Sequence, residues 1–331
     1  MAAMNILFIT NSYPSEEHPE FGVFTKEQID DVVATGGINK NIYFIDGRTQ
    51  HLLAYFKGIF KIKKLAKDAD LIHVFHGLSF LITFIFVRKK PIVVSFLNSI
   101  ENEFEFGKGI AFILQKLTYR FIAKPRVYKV FKDKIPGRAN TQAIYLPNGV
   151  DMKKFTPIDT QSAKQQLGLD GSKKYILFVS SKNIERPQKR YDRFKEVLFR
   201  IKEKMPDVEP LTLVNEPREK VILYLNAADM HLLTSDFEGS PNSVKEAISC
   251  NTPVVATDVG NVRDMLNGIP GCFVSKTDTV EELTDLSLKV LKNKNEVDLR
   301  AKLIEKGLDS QTKTIQLKEF YRKIWNVNYQ H

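Results

Sequence analysis

Two carboxylates eight residues apart carry the strongest chemical signal in this chain. Glu238 and Glu246 lie within residues 234–261, TSDFEGSPNSVKEAISCNTPVVATDVGN. Between them, Gly239, Ser240 and Pro241 mark a tight loop, and Ser240 as N-cap with Pro241 at the first helical position predicts a helix starting there. Val244, Ala247 and Ile248 recur at helical spacing, which gives that helix a buried side and leaves Glu246 on its flank. The two acids therefore frame a helix N-terminus, where free N–H groups and the helix dipole favour an anion. Such a place suits a phosphorylated ligand whose hydroxyls need strong acceptors. The plainer alternative is an acid that does no more than stabilise the helix dipole.

A basic loop, KNIERPQKR at 182–190, follows a strand pattern at 175–180. Open α/β sheets bind ligands at the carboxyl ends of their strands, so its place argues against a merely solvated loop. His73 and His76 fall at another strand end, where satisfied structural histidines are the simpler reading. Asp68-Ala69-Asp70 has metal-motif spacing but sits at a helix-to-strand junction away from the two acids, and no metal site is expected.

The elements needed to position these residues follow from patterning. Strand and helix signals alternate in the first half, with strands expected at 6–10, 41–45, 71–75 and 92–96 and helices at 23–34, 51–67, 79–87 and 107–122. After the turn signal Pro147-Asn148-Gly149 the same alternation restarts at 175–180 and runs to a terminal helix with Leu317, Phe320, Tyr321, Ile324 and Trp325. The pattern predicts two parallel-sheet α/β domains of Rossmann type, 1–150 and 151–313, with the helix at about 314–328 returning to the first. With 331 residues and 43% hydrophobic content, the chain is long enough for two cores.

A formal net charge of +10 points to an anionic partner. No nucleic-acid-binding signature accompanies it, so nucleic acid is not expected. Residues 51–67 interleave Lys57, Lys61, Lys63, Lys64 and Lys67 with large apolar residues, which reads either as a domain helix with a solvated face or as a peripheral contact with an anionic membrane. The longest apolar run, 78–87, is too short to span a bilayer, and the N-terminus lacks a signal-peptide pattern. Cys250 and Cys272 make neither a disulfide scaffold nor a metal cluster. The expected setting is cytoplasmic, with peripheral association at the inner face of the plasma membrane as a variant.

The stretch 238–246 resembles the E-x7-E motif of the retaining family 4 glycosyltransferases of GT-B fold. LPNGVDMKKF at 146–155, LNAADMHLLTSDFEGSPNSVKEA at 225–247, VVATDVGNVRDML at 254–266 and ADLIHVFHGLS at 69–79 are similar to further segments of that family. The resemblance implies two Rossmann-like domains facing across a cleft, an acceptor domain first and a nucleotide-sugar donor domain second. It implies retaining transfer from a nucleotide-diphosphate sugar, with a UDP-sugar as the leading donor, to a glycan or lipid-linked acceptor in surface-polysaccharide synthesis, without metal or cofactor.

Roles follow by position. Glu246 would accept from the ribose hydroxyls and Glu238 from the transferred sugar; Gly239, Ser240, Asn242 and Ser243 would line the donor site, with the N–H groups of the last two facing the diphosphate. Arg186 and Lys189 would bind the diphosphate, with Lys182 and Arg190 as rivals. In the first domain Gly22 stands in the loop that passes under the phosphates, and Asn98 and His76 are candidate sugar or acceptor contacts. Leu97-Asn98 replaces the His-Gly pair of many relatives, which keeps open a non-catalytic subunit of the same fold that binds a nucleotide sugar or a partner without turnover.

Overall fold

The computed structural model describes residues 3–16, 18, 21–47, 51–97, 100, 108–132, 135–137, 141–180, 183–293 and 298–329, the side chains of 51, 52 and 108 excepted. The chain divides into two compact units, Met1–Asn148 with Ser310–His331, and Gly149–Asp309.

In the first unit six parallel strands, β1 (Met4–Thr10), β2 (Ile38–Phe44), β3 (Leu71–Phe75), β4 (Ile92–Phe96), β5 (Val127–Phe131) and β6 (Ala143–Tyr145), run in the order β2-β1-β3-β4-β5-β6. Every residue of β3, β4 and β5 is buried, as expected of strands covered on both faces. Right-handed crossovers put α1 (Val23–Ala34) on one face, because β1 to β2 steps in the opposite direction from the later connections. α12 (Ser310–Tyr329) joins α1 there, closing a core of Phe8, Val32, Val130, Leu317 and Tyr321. α2 (His51–Leu65), α3 (Gly77–Phe86) and α4 (Lys108–Ile122) cover the other face around Ile62, Phe80 and Ile122.

The core of the first unit is not wholly apolar. The His73 ring bonds Tyr321 Oη through Nδ1 at 2.5 Å and Ser95 Oγ through Nε2 at 2.8 Å. Burial holds its pKa well below the usual imidazole value, so it stays neutral. His73 is therefore a satisfied core residue that ties the returning α12 to the sheet. Lys132, just beyond β5, is also buried, its pKa pushed down to about 7, with Gln28 Oε1 accepting from its Nζ at 3.2 Å.

In the second unit β7 (Lys174–Ser180), β8 (Val208–Val214), β9 (Met230–Leu233), β10 (Val254–Ala256) and β11 (Phe273–Val274) form a parallel sheet in the order β11-β10-β9-β7-β8. α6 (Tyr191–Lys204) and α10 (Val280–Lys292) cover one face around Phe178 and Phe194. α7 (Arg218–Ala227), α8 (Asn242–Ser249) and α9 (Val262–Leu266), with α5 (Thr160–Gln166) and α11 (Leu299–Glu305), cover the other. α5 and α9 are short and carried no strong periodic signal, so the sequence reading did not place them. β7 and β9 are central neighbours that both feed loops at the same edge, which brings 183–190 beside 234–241. Among the described residues no helix is long and apolar enough to cross a membrane.

Candidate functional site

The loop after β7 ends in a 3₁₀ turn, Pro187–Lys189, and in Arg190, which sits at φ 52° where the chain reverses into α6. Proline at the start of the turn presets its backbone, and the left-handed Arg190 ends the turn where α6 begins. The loop is bound to its neighbour after β9 by main-chain contacts. Thr234 Oγ1 donates to the carbonyls of Lys189 and Arg190, Asp236 N donates to Gln188 O at 2.9 Å, and Gln188 Nε2 donates to Phe237 O at 2.7 Å. Arg190 and Arg193 both pair with Asp236, which accounts for Arg190 structurally.

On this frame Lys189 Nζ reaches Glu238 Oε1 at 2.6 Å, with each side chain only 13% exposed. Ser235 Oγ donates to the same oxygen at 2.8 Å, so Oε1 is saturated while Oε2 makes no bond to a described residue. Two residues assigned to different parts of a ligand thus form one partly buried ion pair. A lysine has three donors, so this contact leaves two for a ligand anion. Arg186 Nη2 donates to Gln188 Oε1 at 2.8 Å, which holds it on the same turn.

The helix after Glu238 starts one residue later than its pattern predicts. Pro241 is the N-cap, without a side-chain cap bond, and Asn242 is the first helical residue. Ser240 does not cap because its Oγ accepts from the buried Lys245 Nζ at 2.8 Å. Ser243, in the first turn, bonds His231 Nε2 at 3.1 Å, and His231 Nδ1 contacts Leu177 O at 3.0 Å. A carbonyl can only accept, so Nδ1 carries the proton and Ser243 donates to Nε2. Burial pushes His231 down to about 4, which keeps that tautomer neutral. Asn242 Oδ1 is buried without a hydrogen-bond partner in the described structure. Gly239 O accepts from Asn261 N at 3.1 Å, and next to it Gly260 sits at φ 54°, where a Cβ would lie 2.2 Å from that same oxygen. Gly260 therefore lets the turn after β10 press against the acid-bearing loop.

Glu246, nearly buried, pairs with Arg218 Nη1 at 2.9 Å. Arg218 opens α7 at the carboxyl edge of β8, and its guanidinium lies 4.8 Å from the ring centroid of the buried Phe155. Sequence reasoning missed this residue. The available signal was its position, a cation at the start of the helix after a parallel strand, since nothing in the spacing links it to Glu246.

The first-unit candidates are not brought into such a cluster. Gly22 sits at φ 73° as the N-cap of α1, and a Cβ there would fall 2.2 Å from the Ser12 carbonyl carbon. Glycine is needed for that close crossing, whatever else passes the loop. His76 takes φ 84° before α3, and its Nδ1 accepts from Leu78 N at 3.3 Å, so the ring serves as a cap. Asn98 and Lys182 lie outside the described residues. Among the described residues no group of three His, Cys, Asp or Glu is placed to hold a metal ion.

Residues 186–293 match the family model described as "Glycosyl transferases group 1". Among curated proteins, D-inositol 3-phosphate glycosyltransferase of Mycobacterium sp. (strain KMS) is 30% identical over 164 residues, covering 39% of this chain and 35% of that protein. The chain thus spans about a third of the length of the curated relatives it matches. Among solved structures, sucrose-phosphate synthase from Thermosynechococcus elongatus superposes with a TM-score of 0.74 at 12% identity, covering 98% of this chain and 100% of that one. Anabaena Alr3699/HepE, crystallised with UDP and glucose, gives 0.70 at 16% identity over 96% of this chain and 99% of that one. The fold is thus the two-domain α/β architecture of GT-B glycosyltransferases.

Proposed function

We propose that this chain is a retaining glycosyltransferase of family 4 that moves a sugar from a nucleotide-diphosphate donor to a glycan or lipid-linked acceptor in surface-polysaccharide synthesis. The observation that carries the reading is the Lys189–Glu238 pair held beside the start of α8, inside the segment that matches the glycosyltransferase model. A UDP-sugar is the leading donor, supported by the UDP-glucose complex of the structurally similar HepE.

In this reading Arg186, Lys189 and the first N–H groups of α8 bind the diphosphate, where negative charge grows as the bond to the sugar breaks. Glu246 accepts from the ribose hydroxyls. Its Oε1 is oriented by Arg218, and its other oxygen makes no bond to a described residue. Glu238 Oε2 accepts from a hydroxyl of the transferred sugar, while Oε1 stays on Lys189. The acceptor hydroxyl attacks the anomeric carbon on the face from which the diphosphate departs. The C–O bond electrons stay with the leaving phosphate oxygen, which takes the hydroxyl proton. No residue is assigned as covalent nucleophile, and none to a metal or cofactor. A second reading, a subunit that binds a nucleotide sugar without turnover, draws on Leu97 standing where many relatives carry histidine.

The test is release of free nucleotide from a panel of UDP-, GDP- and ADP-sugars, with cell extract as acceptor source. Turnover with one nucleotide class is the expected result. Binding without turnover favours the second reading, and absence of both defeats the two together.

A further inference from the structure

The helical layer of the first unit that faces away from α12 has an unusual outer surface. Leu53, Phe56 and Phe60 form a stripe on α2, and Ile110, Phe112 and Ile113 form a second at the start of α4. Phe60 is 81% exposed and Phe112 65%. α3 packs between the two helices, and all three bury their inner sides against the same sheet face, so both stripes point outward on one side of the unit. Soluble proteins seldom leave large apolar groups clustered in this way without a use for them.

The charge carried by the three helices themselves has one sign. Lys57, Lys61 and Lys64 run along α2 at i, i+4 and i+7 beside its aromatic stripe, and Lys116 and Arg120 lie on α4. No aspartate or glutamate occurs in α2, α3 or α4, although the chain contains 39 acidic residues. Lys63 Nζ also lies 5.9 Å from the ring centroid of Phe86, at the exposed end of α3. Along the described residues of α2 and α4 the apolar stripes are flanked by cations alone, which matches an interface that is apolar below and anionic above. A nucleic acid would use the lysines but leave the phenylalanine and isoleucine rows in water.

We infer that the outer face of α2 and α4 docks this protein on an anionic lipid bilayer, with Phe56, Phe60, Ile110 and Phe112 entering the headgroup boundary and the lysines meeting lipid phosphates. This inference stands on the first unit alone and does not depend on the donor-site reading.

The test is cosedimentation of the full chain with phosphatidylcholine vesicles containing or lacking phosphatidylglycerol. Wild type is expected to pellet with the anionic vesicles and to be released at high salt. The variants Phe56→Glu/Phe60→Glu and Ile110→Glu/Phe112→Glu should each bind at least tenfold more weakly, as should Lys57→Glu/Lys61→Glu/Lys64→Glu. All the substituted side chains are exposed, and unchanged circular dichroism and thermal unfolding would confirm that the variants are folded. Failure of wild type to bind anionic vesicles overturns the inference, as does equal binding to neutral ones or wild-type binding by the variants. Tighter retention on an RNA homopolymer overturns it too, as does a dimer in sedimentation velocity that the same substitutions dissolve.

Discussion

The two sheets handle the polar residues in and beside their strands in opposite ways. In the second unit they are gathered at strand ends and left partly open: Lys189 with Glu238 after β7 and β9, and Arg218 with Glu246 after β8 and β9. In the first unit the polar groups near the strands turn inward, with His73 shared between Ser95 and Tyr321 and Lys132 held by Gln28. The first arrangement keeps charge where a ligand can compete for it. The His73 arrangement uses neutral, saturated hydrogen bonds to fasten a returning helix. The difference teaches that a buried polar group whose bonding capacity is filled, as at His73, serves the fold, whereas charges that retain donors or acceptors can also serve a ligand.

That contrast can be broken by substitution, and the largest effect belongs to the second unit. Lys189→Met should lower nucleotide release about 100- to 1000-fold, or about 3–4 kcal/mol, by removing a donor to the leaving phosphate. Less than a tenfold loss in initial-rate assays would remove Lys189 from the chemistry.

The buried histidine under α8 gives the next effect, through pH. His231 is depressed to about 4 in the folded chain and reverts to about 6.5 on unfolding, so between those values the unfolded state binds more protons. Its stabilising contribution is complete above about pH 6.5 and is lost as pH falls toward 4, by about 3 kcal/mol at most. Urea unfolding of wild type and His231→Asn across pH 7 to 4 isolates it, the variant losing that part of the slope. Identical slopes would mean that the ring is not held neutral.

Glu246→Ala should weaken UDP binding roughly a hundredfold, about 2–3 kcal/mol, by calorimetry, since hydrogen bonds to a carboxylate are among the stronger ones. Unchanged affinity would place the ribose elsewhere. The smallest effect is expected in the first unit, where Tyr321→Phe removes one partner of His73 and should cost about 1 kcal/mol in thermal unfolding. Nucleotide affinity should not change. A drop in affinity would show that the first unit's polar core does more than fasten α12.

Legibility followed the range of the interactions. The alternating elements, the helix after Glu238 and the basic turn were readable because each depends on neighbours within a few residues. β2 was misjudged in extent, since Ile38–Phe44 begins in polar residues whose ladder with β1 decides its length. The start of α8 shifted by one residue because Lys245, a helical turn further on, draws the Ser240 hydroxyl away from capping. Arg218 offered only its position as a signal, because its partner Glu246 lies on another helix.

By itself the sequence determined the order of elements, the two acids, the basic turn and the one-signed charge of α2, because periodicity and composition are local properties. Only the tertiary structure decided that Lys189 and Glu238 are one pair, that Arg218 orients Glu246 and that Gly260 must be bare beside Gly239. It alone also showed that the stripes of α2 and α4 share one side. Each of these depends on which strands lie adjacent in a sheet, and adjacency follows from the packing of whole faces rather than from any single stretch of chain.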